Sequence, residues 1–187
     1  MPNILTPKFR VSYPKVFKAE LNTLNNKMEY SVVALFKKGE DLTVLKDAVQ
    51  AEIVRKWGAD PKKHPANLRT PFRDQADKAR EQDGKRFLPA GHEEGAIYLN
   101  LKSQQRPGVV DQQVQPIIDE TEFYPGCYAR ASVSVYAYEQ GANRGVNFGL
   151  SNIQKVADGE PFSGRPTAEA SFSPVKTQGE DPSAIFG

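Results

Sequence analysis

Residues 128–150 read YARASVSVYAYEQGANRGVNFGL: a strictly alternating segment, a glycine-bearing turn and a second alternating segment. Tyr128, Arg130, Ser132, Ser134, Tyr136 and Tyr138 share one parity, and Ala129, Ala131, Val133, Val135 and Ala137 share the other. Successive strand side chains point to opposite faces, so one face is small and apolar while the other carries rings, hydroxyls and a cation. The QGANRG run at residues 140–145 supplies the positive φ values of a tight hairpin. Val146, Phe148 and Leu150 then return with core parity. A rigid face of tyrosines and arginine suits stacking on unpaired bases. It equally suits an ordinary half-exposed strand whose rings pack under a neighbouring loop.

The flanking segments supply the rest of a sheet. Residues 8–13 alternate, with Phe9, Val11 and Tyr13 expected in the core and Lys8, Arg10 and Ser12 outside. Pro14 should end or edge that strand, which residues 16–21 resume after a bend. Residues 30–36 (YSVVALF) are apolar on both parities and predict a strand buried on both faces. Asp41 is placed to cap a helix in which Leu42, Leu45, Val49, Ile53 and Trp57 form the core stripe and Gly58 the stop. Lys46, Asp47, Gln50, Glu52, Arg55 and Lys56 form its expected wet face. Residues 96–102 (AIYLNLK) put Ile97, Leu99 and Leu101 inward and Tyr98, Asn100 and Lys102 outward, and residues 109–113 make a short strand. Five or more strands with one strong helix predict a mainly β chain, an antiparallel barrel of the oligonucleotide-binding (OB) type. The helix falls earlier than the usual place between the third and fourth strands. A generic α+β meander is the alternative fold.

Length and composition bound the rest. The 187 residues suit one domain, 1–157, followed by a Gly/Pro/Ser-rich, mildly acidic strap or flexible tail, 158–187. With 26% charged residues and a formal charge of +2, the chain has a soluble globular composition. No apolar run approaches the ~20 residues of a membrane span, and the first residues lack a secretory apolar region. The single cysteine, Cys127, fits a reducing compartment, so the cytoplasm is expected. The hydrophobic pattern lapses in a long excursion, residues 59–95, holding Pro61, Pro65, Pro71 and Pro89. One short helix is expected there, capped by Thr70 and closed before Gly84. Between Arg55 and Arg86 ten Lys/Arg face five acids, whereas the chain after Val156 is acidic. A basic excursion of this length in a compact domain points to function.

Catalytic motifs are missing. There is no phosphate-binding glycine loop and no H-E-x-x-H, and His92-Glu93-Glu94 lacks helical metal spacing. His64, His92 and Cys127 are too few and too scattered for a zinc site, and no carboxylate cluster stands out. No enzyme, metal or cofactor is therefore expected. Nucleic-acid binding gathers more features. Tyr98, Tyr128, Tyr136 and Tyr138 are candidates for base stacking, and Arg10, Lys102, Arg106, Arg130 and Arg144 for phosphate contacts. Lys62, Lys63, Arg69, Arg73, Lys85 and Arg86 would form a basic flap. Each stacked base contributes ~1–3 kcal/mol, and the cations add a salt-sensitive attraction.

The run YPGCYARA from Tyr124 and the run NRGVNFGLSNIQKV from Asn143 resemble a bacteriophage family of single-stranded DNA-binding proteins, formerly a domain of unknown function. The opening strand, LRTPFRD from Leu68 and DGEPF from Asp158 extend the likeness over most of the chain. The resemblance implies an OB barrel without catalysis that coats single strands during phage replication, recombination or repair. It also implies a C-terminal tail that recruits phage or host replication proteins, although here the end is only mildly acidic, with Phe186 penultimate. Single-stranded DNA is the expected partner, with duplex DNA or RNA bound more weakly and no membrane involved. The rival reading is a protein-interaction or virion-structural domain whose tyrosine face docks another protein.

Overall fold

The computed structural model describes residues 3–162 and 172–175. Five long strands carry the fold: β1 (Phe9–Asn22), β2 (Lys27–Leu35), β3 (Ile97–Ser103), β4 (Tyr128–Gln140) and β5 (Asn143–Ala157). Among the described residues there is one α-helix, α1 (Thr43–Trp57), and it lies between β2 and β3. β1 pairs antiparallel with β2 and β2 with β3; β3 meets β5 in parallel at Lys102–Gly149, and β5 pairs antiparallel with β4. β4 returns to β1 through Tyr128–Arg10 and Ala129–Phe9, which closes the ring in the order 1-2-3-5-4. That is the OB topology, with the helix early, as the sequence predicted.

The alternation of residues 128–138 is realised as read. Ala129, Ala131, Val133 and Val135 are buried against Phe9, Val11, Val32, Ala34, Leu99, Leu101, Val146, Phe148 and Leu150, in one continuous core. Gly141, at φ 59°, begins the two-residue turn joining β4 to β5. Leu45, Val49 and Ile53 of α1 are buried in the same core, and the helix packs against β4 and β5. Asp41 accepts from the Thr43 N–H at 3.0 Å, and Gly58, at φ 90°, donates to the Val54 carbonyl at 2.8 Å. Glu52 departs from its expected wet face. It is 3% exposed, and its carboxylate accepts from Arg55 and from the backbone N–H of Ala137. The Arg55 hydrogen bonds hold it below the usual carboxylate range even though burial acts the other way.

Tyr13 also departs from expectation. The β1–β2 register slips between Ser12 and Lys15, where Tyr13 adopts φ 45° ahead of Pro14. Such a bulge switches the facing of the side chains that follow it. Tyr13 therefore leaves the core, and Val16 enters it.

The excursion contains no α-helix. Asp74 caps a 3₁₀ turn, Gln75–Lys78, by accepting from the Ala76 N–H at 2.8 Å. A small hairpin follows, Arg80–Gln82 with Lys85–Phe87, turning on Asp83 and Gly84 at φ 54° and 73°. An Asp-Gly pair at positive φ favours this hairpin over the expected helix. β3 and β5 share a single pairing and then diverge. Leu68–Arg69 adds to β5 and Arg73–Asp74 to β3, filling the gap between them. Gln75, 1% exposed, fastens the excursion down by donating to the carbonyls of Phe36 and Ile97 and accepting from the Glu93 N–H.

After β5, Tyr124 donates to Asp158 at 2.8 Å and accepts from the Gly159 N–H at 3.1 Å, while the Phe162 N–H donates to the Pro125 carbonyl at 3.0 Å. Residues 158–162 thus lie as a strap against the ring. Most of the remaining tail expected at 158–187, including its end at Phe186, lies outside the described residues. Among the described residues no helix is long and apolar enough to cross a membrane.

Candidate nucleic-acid interface

Pairing register places the outward side chains of β1, β2 and β3 in rows. Ser12, Val33 and Asn100 form one row, and Lys15, Ser31 and Lys102 the next; Lys102 then meets Gly149 on β5, opposite Ser134 on β4. Lys78 and Arg80 of the excursion stand over these rows. Together they bound an open groove of about 360 Å³, lined by Tyr13, Lys15, Lys78, Arg80, Asn100 and Lys102 over a floor of Ser31 and Val33. Four cations around a shallow floor make a local positive field in a chain of nearly balanced charge. Two of them have carboxylate neighbours: Lys15 lies 2.7 Å from Glu20 and Lys102 3.9 Å from Glu29. Burial pushes Glu29 up, but the amides of Asn22 and Asn25 and the charge of Lys102 outweigh this and keep it ionised below its ordinary value.

Beyond Lys102 the floor continues over Gly149, where any side chain would run into Ser134 and approach the ring of Tyr136. Glycine keeps this stretch low. Tyr136, 44% exposed, stands at its far side; partial burial and the nearby Glu29 push its phenol up. Tyr138 is half-buried, its hydroxyl close to Gly145 and Arg69.

Other expected site residues are distributed differently. Tyr98 has the expected outward parity but is 6% exposed, covered by Phe162 and with the Lys78 ammonium 5.1 Å from its ring centre. The excursion laid across β3 buries it and pushes its phenol up, so it is closed to a base here. Arg10 is engaged rather than free. It donates to the carbonyls of Gly126 (3.0 Å) and Glu160 (2.7 Å), and its guanidinium lies 4.4 Å from the ring centre of Phe162. Tyr128 sits at the opposite end of β4 from Tyr136, eight residues or about 26 Å away at a strand's rise. Its ring lies 5.2 Å from the Lys8 ammonium and 5.6 Å from Arg10, on a separate cavity of about 400 Å³. The tyrosines of β4 are therefore not one platform.

Arg130 donates to Gln154 at 2.8 Å and lines a further cavity with Thr6 and Lys8, away from the groove. Arg144 lies in the β4–β5 hairpin, paired with Glu139 and Leu68, and Arg106 is exposed in the turn after β3. The flap residues do not converge. Lys62 and Lys63 form a 3₁₀ turn just after α1, Arg69 joins β5, Arg73 joins β3, and Lys85 and Arg86 lie in the small hairpin. The groove instead takes Tyr13, Lys15, Lys78, Arg80 and Asn100, none of which the sequence singled out as a site residue. For Lys78 and Arg80 the Asp83-Gly84 hairpin signal pointed the right way; for Tyr13 the Tyr-Pro step was the trace of the bulge. Among the described residues no group of three or more His, Cys, Asp or Glu is placed to hold a metal ion.

Residues 2–183 match the family model of the Enterobacter phage Enc34 ssDNA-binding protein. The chain belongs to this family. It is a family of DNA-binding proteins and not of enzymes. Comparison with curated protein sequences finds no match. Among solved structures, the single-stranded DNA-binding protein from bacteriophage Enc34 in complex with ssDNA is similar at TM-score 0.63 and 16% identity, over 86% of this chain and 89% of that one. A second structure of the single-stranded DNA-binding protein from bacteriophage Enc34 gives TM-score 0.63 and 18% identity over 92% and 90%. The gp2.5 single-stranded DNA-binding protein encoded by bacteriophage T7 gives 0.59 and 14% over 88% and 97%. At these identities the likeness establishes the fold shared by the Enc34-type family and the T7 protein.

Proposed function

We propose that this Enc34-type protein binds single-stranded DNA without catalysis and coats it during phage DNA replication in the host cytoplasm. The observation that carries the reading is the groove across β1–β2–β3, walled by Lys15, Lys78, Arg80 and Lys102 and leading over Gly149 to the open ring of Tyr136. A phosphate backbone following the cations brings successive bases down onto the floor and against Tyr136. Stacking and charge attraction of this kind need no sequence readout. Duplex DNA keeps its bases stacked on one another and gains only the charge attraction, so it is bound more weakly, and RNA is a second competitor to compare.

The test is a titration of the protein with fluorescent oligo-dT and with a duplex of equal length at one low salt concentration. Oligo-dT is bound more tightly, and Tyr136→Ala weakens it by about 1–3 kcal/mol. Because Tyr136 is half exposed and outside the core, the variant melts close to wild type. No binding of oligo-dT, or a duplex preference, rejects the proposal.

A further inference from the structure

We infer that Tyr13 is a base-stacking residue that takes a nucleobase of the single strand on its ring, at the opposite end of the groove from Tyr136. The inference rests on the groove assignment above and deepens it. Tyr13 has φ 45°, a left-handed conformation that disfavours residues with a Cβ, and it precedes Pro14, which further restricts it. A bulky residue held there requires compensation, and core packing does not provide it. The ring is 41% exposed, and Val16 fills the core position that the bulge vacates.

The bulge instead delivers the ring to the binding face. One flank borders the 360 Å³ groove with Lys15, Asn100 and Lys102. Tyr13 also borders an open cavity of about 260 Å³ lined by Pro89, Pro125 and Phe162. Tyr13 is thus a partition between two open spaces, which is what a base needs in order to stack. The surroundings match the other parts of a nucleotide. Arg80 donates to the Tyr13 hydroxyl at 3.3 Å, and the Lys78 ammonium lies 5.9 Å from the ring centre, so both cations reach a phosphate beside a stacked base. Asn100, outward on β3, offers an amide donor and acceptor to a base edge.

Glycine is favoured at positive φ, so Tyr13→Gly removes the ring while relieving the backbone, and its melting temperature should stay within a few degrees of wild type. Affinities of wild type and Tyr13→Gly are measured for oligo-dT and for an abasic oligonucleotide of equal length. The variant should bind oligo-dT roughly five- to hundredfold more weakly and the abasic strand as wild type does. Tyr13→Phe, which keeps the ring, should retain the affinity for oligo-dT. An unchanged affinity of Tyr13→Gly for oligo-dT, or equal losses on both strands, overturns the assignment while leaving the groove standing. Wild-type protein that does not bind oligo-dT overturns the groove itself. Photocrosslinking of unaltered protein to oligo-dT bearing 5-iodouracil, mapped by mass spectrometry, gives an independent reading: adducts on Tyr13 support it, and adducts confined to other residues refute it.

Discussion

At the scale of single residues, neighbours rather than residue type decided which groups serve the groove. Arg10 and Tyr98 have the outward parity and the chemistry of DNA contacts, yet the strap and the excursion occupy them. Glu52 looks like a solvent residue of an amphipathic helix, yet it joins Arg55 to the backbone of β4. Gln75 is the clearest case, because a lone glutamine in a polar loop gives no signal in sequence. Its amide closes three backbone hydrogen bonds at once: Phe36 carbonyl at 2.8 Å, Ile97 carbonyl at 3.0 Å and Glu93 N–H at 2.7 Å. Gln75→Ala takes this partner from the Phe36 carbonyl and the Glu93 N–H, while the Ile97 carbonyl still accepts from the Phe36 N–H at 3.0 Å. Each buried group left unsatisfied costs about 1–3 kcal/mol. A loss of stability in that range or above is expected in urea unfolding. Weaker binding of oligo-dT should accompany it, because the 3₁₀ turn that Gln75 opens ends at Lys78, on the groove wall.

At the scale of elements, the regular parts were legible and the irregular parts were not. Alternation set the facing of β4 and β5, and a 3.6-residue stripe set the core face of α1, because burial imposes a period on regular structure. The excursion has no period to read: it is held by short pairings to β3 and β5 and by Gln75, contacts between residues distant in sequence. The candidate site was legible only in part for the same reason. Lys102 and Tyr136 lie on periodic strands and have the outward parity read from the sequence, and Lys102 lines the groove. Tyr13 rides a bulge, and Lys78 and Arg80 ride the excursion. The basic character of that excursion was visible, but which of its cations face the groove depended on where the excursion docks. Lys78 and Arg80 are the two that line the groove, so Lys78→Gln with Arg80→Gln removes half of its four cations. Each phosphate neutralised on a single strand contributes about −0.7 to the slope of log affinity against log salt. The double variant should therefore lose about 1.4 of that slope, whereas Lys62→Gln with Lys63→Gln, in the 3₁₀ turn after α1, should leave it unchanged.

At the scale of the whole molecule, the charge balance limits how DNA is held. The chain carries 25 Lys and Arg against 23 Asp and Glu, so long-range attraction to a polyanion is weak and affinity has to arise locally. The OB ring makes this possible by bringing residues from β1, β3 and the excursion to one face, although they are up to 89 positions apart between Tyr13 and Lys102. Two outcomes separate a local site from diffuse attraction. If all ten cations between Arg55 and Arg86 met phosphates, the salt slope would approach about −7. If the four groove cations carry the contact, it is about −3, and affinity falls roughly fiftyfold between 50 and 200 mM salt. The smaller slope is expected, because Lys62, Lys63, Arg69 and Arg73 are spread over separate elements that do not converge on the groove. Oligo-dT titrations by fluorescence anisotropy at four or more salt concentrations measure the slope directly. A value near −7 would move the DNA path off the β1–β2–β3 face and onto the excursion, and a value near zero would mean that the groove cations face no phosphate at all.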